Sequence, residues 1–338
     1  MFKTGKIPHD VLKRLVLTRV GERSDRVIVG PAVGEDAAAV RMDGKFLVVN
    51  VDPITAAVER IGWLSVHITA NDVAVCGARP MWYMPSIMLP EGFGEEDLDE
   101  IMGQVDRAAK SIRVSVVGGH TEVSPGVNHP IIVGVMIGEA ERIVKTGGAS
   151  AGDLLVMTKS AGLEGASIIA SDLRQHLRGV VDEAVLERAE AMMERISVVE
   201  EALAALRVGV HSMHDPTEGG ILCGVWEVAE ASGLGVELWA DEVPVEEEVR
   251  EVCEAIGVDP LSLMSSGVLL VSVEPGAVEE LLGEFGRMGV EAKVVGRMLD
   301  RREGRWVLRE GGRERLVPPE RDELYRVLEK YGMEEGRR

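Results

Sequence analysis

The chain has 338 residues, 46% of them hydrophobic, which indicates a globular protein of two domains. Its net charge of −20 argues against nucleic acid as a partner, because nucleic-acid binding requires a basic surface. The longest apolar runs are far shorter than the roughly 20 residues of a membrane span, and no signal-peptide pattern precedes them. We therefore expect a cytoplasmic protein without membrane contact.

The first half alternates strand-like and helix-like segments. Valine-rich runs broken by glycine predict strands over residues 27–29, 37–41, 45–51, 82–89, 114–117 and 131–137. Apolar residues at helical spacing predict helices over residues 60–76 and 95–111. Three cysteines without a CxxC pair predict neither a disulfide framework nor a Cys-rich zinc site.

A stretch of small residues at 146–150 predicts a domain boundary, which we place between residues 147 and 148. Beyond it, we expect strands over 153–158, 267–273 and 292–295, a hairpin over 301–315, and helices over 163–173, 182–196, 218–231 and 277–288. Such a mixture predicts two layered α/β domains, with a doubly wound parallel sheet as the default topology. Abundant Glu and Arg beside scarce Asn and Gln are typical of a thermophilic source.

Acidic residues stand at the ends of two predicted strands. Gly34-Glu35-Asp36 precedes the strand at 37–41, and Asp52 follows the apolar run that ends at Val51. Carboxylates at strand ends can hold a hard cation through oxygen ligands. The alternatives are a solvated turn at Asp36 and simple strand termination at Asp52.

A polar pair interrupts the apolar pattern of the predicted helix at 60–76. Asn71 and Asp72 are poor helix-interior residues, because both compete for backbone hydrogen bonds. Flanked by apolar neighbours, they must either face water or meet a ligand, since an unpartnered buried carboxylate is costly. We favour a ligand, and a metal ion would be a suitable one.

Two further segments combine glycine pairs with polar residues. Gly118-Gly119 follows a strand and leads into His120, Thr121 and Glu122, so that backbone N–H groups could approach a phosphate. The second segment, 211–221, reads His-Ser-Met-His-Asp-Pro-Thr-Glu-Gly-Gly-Ile and precedes an amphipathic helix. Its helix N-terminus could bind an anion or could be only a capping segment, and the two interpretations are compatible. A P-loop, a dinucleotide-binding GxGxxG and a GxSxG elbow are all missing from the sequence.

Five segments in order resemble one family, the aminoimidazole-ribonucleotide (AIR) synthase and hydrogenase-maturation superfamily. Gly34–Ala38 resembles its GDDAA segment, residues 71–80 its NDxAxxGAxP segment and residues 118–121 its GG[DEH][ST] segment. Residues 148–153 resemble the GAxxGD opening of its second domain, and residues 215–220 the DPTxGG of its hydrogenase-maturation branch. The resemblance extends from about residue 30 to about residue 270.

This resemblance implies a two-domain, PurM-like α/β architecture in place of the default. The N-terminal domain would form a β-barrel across a homodimer, the C-terminal domain would be ferredoxin-like, and ATP would lie between the domains. ATP and Mg²⁺ are the implied cofactors, and the γ-phosphoryl group would pass to an oxygen of a small or carboxamide substrate. A hydrogenase-maturation protein is a possible partner.

The family also implies roles for individual residues. Metal ions would be held by Asp36, Asp52 and Asp72, while Asn71, Gly118, Gly119 and Thr121 would contact the nucleotide. Thr217, Gly219 and Gly220 would approach the phosphate end or the substrate from the second domain. The implied catalytic residues are Asp72, His120 and Asp215.

Departures from the family pattern leave the substrate open. The maturation factor carries its reacting group on a C-terminal cysteine, whereas no cysteine follows Cys253 here, and His120 stands where some members have an acid. One alternative is a phosphotransferase similar to thiamine-monophosphate kinase, and another is a non-catalytic ATP-binding scaffold. A metallohydrolase using His211, His214, Asp215 and Glu218 is a further alternative.

Overall fold

The computed structural model describes residues 5–55 and 59–331, so the 332–338 tail, which the sequence shows to lack cysteine, lies outside the described residues. The strands are β1 (Val27–Val29), β2 (Ala38–Met42), β3 (Lys45–Ile54), β4 (Arg79–Leu89), β5 (Ser115–Val116), β6 (His120–Val123), β7 (Ile131–Ala140), β8 (Leu154–Thr158), β9 (Ser212–His214), β10 (Gly235–Trp239), β11 (Leu270–Val273), β12 (Ala292–Leu299), β13 (Arg305–Arg309) and β14 (Gly312–Arg315). The helices are α1 (His9–Val11), α2 (Ile61–Val75), α3 (Glu95–Ser111), α4 (Leu163–Asp172), α5 (Arg174–Leu177), α6 (Glu183–Ala191), α7 (Val199–Val208), α8 (Gly220–Ala231), α9 (Glu247–Ile256), α10 (Val278–Arg287) and α11 (Glu323–Lys330).

The chain divides into two compact units. The first comprises Ser24–Gly30 and Asp36–Ile143, and the second contains the described residues 5–23, 31–35 and 144–331. Each unit holds a seven-stranded sheet, and most strand pairs in both sheets are antiparallel. The two-domain α/β architecture is therefore confirmed, and the default of a doubly wound parallel sheet is wrong. The boundary between residues 147 and 148 stays a prediction.

In the first unit the sheet has the order β1-β2-β3-β7-β4-β5, and β6 also pairs with β4. All 15 residues of α2 are buried, because α2 packs on β3, β7 and β4 and is itself covered by α3. Glycines allow this close packing. A Cβ at Gly62 would lie 2.4 Å from the Ile101 carbonyl oxygen, and one at Gly134 would lie 2.9 Å from that of Ser65.

The two faces of this sheet differ in what covers them. On the face under α2, Val48, Ile132 and Met136 are buried. The opposite face is also apolar but only half-buried or exposed, and Val51 on it is 60% exposed. No described helix of the first unit packs on this second face, which carries Val49, Val51, Trp82, Met84, Val133, Val135 and Ile137.

In the second unit the sheet has the order β14-β13-β10-β12-β8-β11-β9. Helix α8 places Ile221, Val225 and Val228 in a buried cluster with Leu155 and Val236 of the sheet. This packing fixes the start of α8, and with it the segment 215–220. Among the described residues of both units, no helix has the length and apolarity to cross a membrane.

The N-terminal segment belongs to the second unit and lies along α8. The ring of His9 stacks on that of Trp226, with centroids 5.0 Å apart and planes 2° apart. Nζ of Lys13 donates to Oε1 of Glu230 over 2.6 Å. The segment is thereby held against the second half of α8.

Several predicted elements need correction. The strand predicted to end at Val51 continues to Ile54, because β3 pairs with β7 alone beyond Val49, where a proline such as Pro53 is tolerated. The helix predicted over residues 182–196 ends at Ala191 and is followed by a 3₁₀ turn, Met192–Arg195. Residues 120–123 and 212–214, for which the sequence predicted no strand, form β6 and β9.

Candidate functional site

Helix α2 carries the polar pair predicted to meet a ligand. Asn71 and Asp72 lie in its last turns, and both side chains are buried. The alternative that they face water is therefore wrong. Placing an amide and a carboxylate inside an otherwise apolar layer costs free energy unless they interact with other polar groups. Their role in binding a ligand stays a prediction.

A second group of oxygen atoms lies at the end of β3. Asn50 and Asp52 point to the face that α2 covers, since Asp52 is opposite Gly134, which lies beneath α2. Nδ2 of Asn50 donates to the backbone oxygen of Asp36 over 2.9 Å. This bond holds the start of β2 beside β3, so the structure brings Asp36 and Asp52 to neighbouring positions. Asp72 lies on the helix that covers the same face.

Asn50 is a candidate site residue that the sequence analysis did not select. Its Oδ1 is buried and accepts no hydrogen bond from the described residues. Carboxylate and amide oxygens are the ligands that Mg²⁺ prefers, so Asp36, Asp52 and Oδ1 of Asn50 fit a magnesium ion. The available signal was the alternation of a strand, which places residues 50 and 52 on one face.

The two glycines before β6 have different structural roles. Gly119 has φ = +150°, and a Cβ there would lie 2.5 Å from the Pro85 carbonyl oxygen, so packing against β4 requires glycine. At Gly118 the nearest atom to a Cβ would be Sδ of Met84, at 3.8 Å. Packing within the described residues therefore does not require glycine at 118, which leaves room there for a ligand.

His120 and Thr121 are exposed in β6, which pairs with β4 in parallel. Nε2 of His120 lies 3.2 Å from Oε2 of Glu122, and hydrogen bonds from Ser124 and His120 lower the pKa of Glu122. The imidazole is therefore held against a carboxylate at the surface of the first unit. Its catalytic role stays a prediction.

In the second unit, the segment 215–220 enters α8 through two left-handed glycines. Gly219 has φ = +81° and Gly220 has φ = +60°. A Cβ at Gly220 would lie 2.5 Å from the Leu263 carbonyl oxygen, so neither position tolerates another residue easily. Asp215, just before them, is buried. The predicted residues Asp215, Thr217, Gly219 and Gly220 are thus brought together in one turn.

Other parts of the second unit already contact this turn. The backbone N–H of Gly219 donates to Oδ2 of Asp322 over 2.6 Å. Nζ of Lys6 donates to Oγ1 of Thr217 over 2.9 Å, and its backbone N–H donates to Oε2 of Glu218 over 3.0 Å. Lys6 supplies a cation beside Thr217, and the Gly219 amide is directed at a carboxylate of the protein itself.

The two histidines of the metallohydrolase alternative bind different carboxylates. Nδ1 of His211 lies 2.9 Å from Oδ2 of Asp153, whereas Nε2 of His214 lies 3.0 Å from Oε2 of Glu227. Burial would raise the pKa of Glu227, but hydrogen bonds from His214 and His9 and the charge of Lys6 hold it well below its usual value. Residues 212–214 form a strand, so His211 and His214 do not lie on one face of a helix.

Comparison with known proteins places this arrangement in a family. The model for the N-terminal domain of AIR synthase related proteins matches residues 34–140, and that for the C-terminal domain matches residues 150–309. A hydrogenase expression/formation protein of Methanocaldococcus jannaschii is 29% identical over 306 residues, which are 86% of this chain and 88% of that protein. The carbamoyl dehydratase HypE of Escherichia coli is 31% identical over 285 residues, 82% of either chain.

Solved structures show the same fold. The crystal structure of E. coli HypE matches with a TM-score of 0.73 and 26% identity, covering 85% of this chain and 92% of that one. A HypE complex with ATP matches at 0.70 and 23% identity, covering 96% and 97%. AaThiL complexed with AMPPCP and TMP matches at 0.68 and 21% identity, covering 82% and 88%. With both family models matched and a relative above 30% identity over most of its length, this chain belongs to the AIR synthase related protein family.

Proposed function

We propose that this chain is a Mg-ATP-dependent enzyme that phosphorylates, and thereby activates, an oxygen of a small or carboxamide substrate. The observation that carries the proposal is a set of candidate oxygen ligands in the first unit: Asp36, Asp52 and Oδ1 of Asn50, which has no hydrogen-bond partner among the described residues. Buried Asn71 and Asp72 lie on the helix that covers the same face. The relatives named carbamoyl dehydratase, and the solved HypE complex with ATP, support this assignment.

Asp36, Asp52 and Asn50 would hold Mg²⁺, and Asp72 would complete the set. When bound, the metal neutralises the charge of the phosphate groups and so favours phosphoryl transfer. Asn71 would orient a phosphate oxygen through its amide, and Gly118 would leave space for the nucleotide. The protein's own contribution is positioning and charge neutralisation.

The second unit would act on the phosphate end or on the substrate. Lys6 places an ammonium group on Thr217, so a cation is available where negative charge would accumulate. Glu218 is held from both sides, by the backbone of Lys6 and by the hydroxyl of Tyr325 at 3.0 Å. These bonds fix the turn that carries Asp215 and Thr217.

Calorimetric titration with ATP, with and without Mg²⁺, tests the proposal. Saturable binding that requires Mg²⁺ is the expected result, followed by ADP release when carboxamide substrates are added. Absence of binding at millimolar ATP would refute the nucleotide site. ATP binding without turnover on any substrate would instead support the scaffold alternative.

The relation to AaThiL favours one alternative within the same class, a kinase that phosphorylates a small molecule as its product. The two activities differ in what leaves the enzyme. A kinase releases ADP and a stable phosphorylated product, whereas a dehydratase releases ADP, inorganic phosphate and a product lacking one oxygen. Phosphorus NMR of the reaction mixture separates them.

We also propose a homodimer that covers the second face of the first unit's sheet. That face is apolar and half-exposed along β3, β7 and β4, and a second copy would remove it from water. Because relatives are described as hydrogenase expression/formation proteins, a maturation protein is the proposed hetero-partner. Co-purification with hydrogenase-maturation proteins from the source cells tests that association.

A further inference from the structure

The segment 319–325 lies against the turn that carries Thr217 to Gly220. A Cβ at Gly219 would lie 3.7 Å from Cδ of Pro319, and the N–H of Gly219 donates to Asp322. The hydroxyl of Tyr325 donates to Glu218 over 3.0 Å. This segment follows residue 309, where the match to the family ends, so these contacts are not part of the matched region.

Arg321 is the residue of this segment whose hydrogen-bonding capacity is not filled. Its Nη1 pairs with Oε1 of Glu329 at 2.5 Å, and its guanidinium lies 5.3 Å from the centre of the Tyr325 ring. The side chain is 18% exposed. Within the described residues, however, its Nε and Nη2 atoms are buried and have no hydrogen-bond partner.

The two unfilled atoms define a specific kind of ligand. Nε and Nη2 form one edge of the guanidinium, and two parallel N–H groups on one edge match the oxygens of a carboxylate or phosphate. Leaving buried charged donors unfilled costs free energy, so an oxyanion at this edge would be favoured. A cationic group would be repelled, and a neutral acceptor would form weaker hydrogen bonds than an oxyanion.

We propose that Arg321 binds an oxyanion group of the substrate, in a bidentate manner, beside the turn at 217–220. The inference rests on the proposed function, because it names the chemical class of the substrate: a small molecule that carries a carboxylate or phosphate group. Tyr325 and Glu329 hold the guanidinium from the other side. Arg321 thus recognises the oxyanion group of the substrate. The oxygen that is phosphorylated is a different group and is positioned by the rest of the site.

The test is a calorimetric titration of inorganic phosphate into the protein saturated with Mg²⁺ and AMPPCP, so that the nucleotide's own phosphate site is filled. We compare wild type with Arg321→Gln, Arg321→Lys and the matched control Arg326→Gln. Arg326 lies on α11, which begins two residues after Arg321, but its side chain is exposed and pairs with Glu323. Thermal unfolding of each variant establishes that it is folded.

Saturable phosphate binding by wild type and Arg326→Gln is expected, with affinity at least about tenfold weaker in both Arg321 variants. Lysine keeps the charge but lacks the two-donor edge, so Arg321→Lys tests the bidentate geometry. It also replaces Arg321→Gln as the test if the glutamine variant fails to fold. Wild-type affinity in the Arg321 variants, or no phosphate binding by wild type, would overturn the inference. Failure to bind AMPPCP would refute the proposed function instead, and phosphate titration of the nucleotide-free protein would then still test Arg321.

Discussion

The buried carboxylate of Asp322 accepts the N–H of Gly219 at 2.6 Å and that of Leu324 at 2.7 Å, and so joins the beginnings of α8 and α11. Burial, the largest influence, raises the pKa of Asp322 from 3.8 to about 6 despite these two bonds. The folded protein therefore binds a proton at this carboxyl more tightly than the unfolded chain does. This relation makes the stability of the turn dependent on pH.

We predict that Asp322 favours folding most below pH 4 and that this contribution is lost as the pH rises through about 6. The difference between the two pKa values corresponds to about 3 kcal/mol. Urea unfolding of wild type and Asp322→Asn between pH 4 and pH 7 measures it. Wild type should lose free energy of unfolding relative to the variant over this range, and parallel pH profiles would show that Asp322 does not titrate there.

Asp72 is expected to be necessary for Mg-ATP affinity. Replacing it by alanine removes a buried carboxylate from the helix that covers Asp52, and calorimetry should then detect no Mg²⁺-dependent ATP binding. Asp99→Ala is the control, since Asp99 is an exposed acid on α3 of the same unit. Unchanged ATP binding by a folded Asp72→Ala variant would remove this residue from the site.

The neighbouring glycines 118 and 119 should respond differently to alanine. Gly119→Ala introduces a Cβ 2.5 Å from a backbone oxygen at a positive φ, and we expect a loss of about 1–3 kcal/mol in the free energy of unfolding. Gly118→Ala should change stability by less than about 0.5 kcal/mol, because its Cβ meets only ordinary contacts.

The ATP affinity of the Gly118→Ala variant is a separate test. If the backbone at Gly118 approaches a phosphate, Gly118→Ala should weaken ATP binding while leaving the unfolding curve unchanged. Calorimetry and urea unfolding on the same preparations check both effects. Equal ATP affinity in Gly118→Ala and wild type would show that the space at Gly118 is not used by the nucleotide.

The exposed face of the first sheet predicts the effect of a charge on assembly. Val51→Glu places a carboxylate where 60% of the valine is exposed in the single chain, and a dimer that buries this face should dissociate. Val180→Glu is the control, because Val180 is 68% exposed in the second unit. Light scattering at micromolar concentration should give a monomer for the first variant and a dimer for wild type and control. A monomeric wild type would refute the dimer.

The local pattern of the sequence predicted the first unit well. Helix α3 has the predicted bounds, because its apolar spacing is regular and Gly94 precedes it, and α2 differs by one residue at each end, because Gly77 closely follows it. Strand β6 was missed because it is short and polar, and β9 because it is short and lies inside a motif. Pairing with neighbouring strands, rather than their own composition, stabilises both. Helix α9 was missed although its apolar face is regular.

The sequence selected candidate site residues but indicated few of their contacts. The sequence selected Asp36, Asp52 and Asp72, and strand alternation places Asn50 on the face of Asp52, but the bond from Asn50 to Asp36 is seen only in the structure. Likewise, Gly219 was selected as an anion ligand, whereas its N–H is directed at Asp322, more than 100 residues later in the chain. Such long-range partners leave no periodic signal in the sequence.

The second unit is discontinuous, since its first described residues, 5–23, are separated from the remainder by most of the first unit. Lys6 reaches Glu218 across 212 positions, and Lys13 reaches Glu230 across 217. During synthesis, Lys6 and Lys13 therefore leave the ribosome more than two hundred residues before their partners, Glu218 and Glu230. The first unit can complete its sheet in that interval, whereas a fragment that begins at residue 144 would lack the contacts that Lys6 and Lys13 make with Glu218 and Glu230.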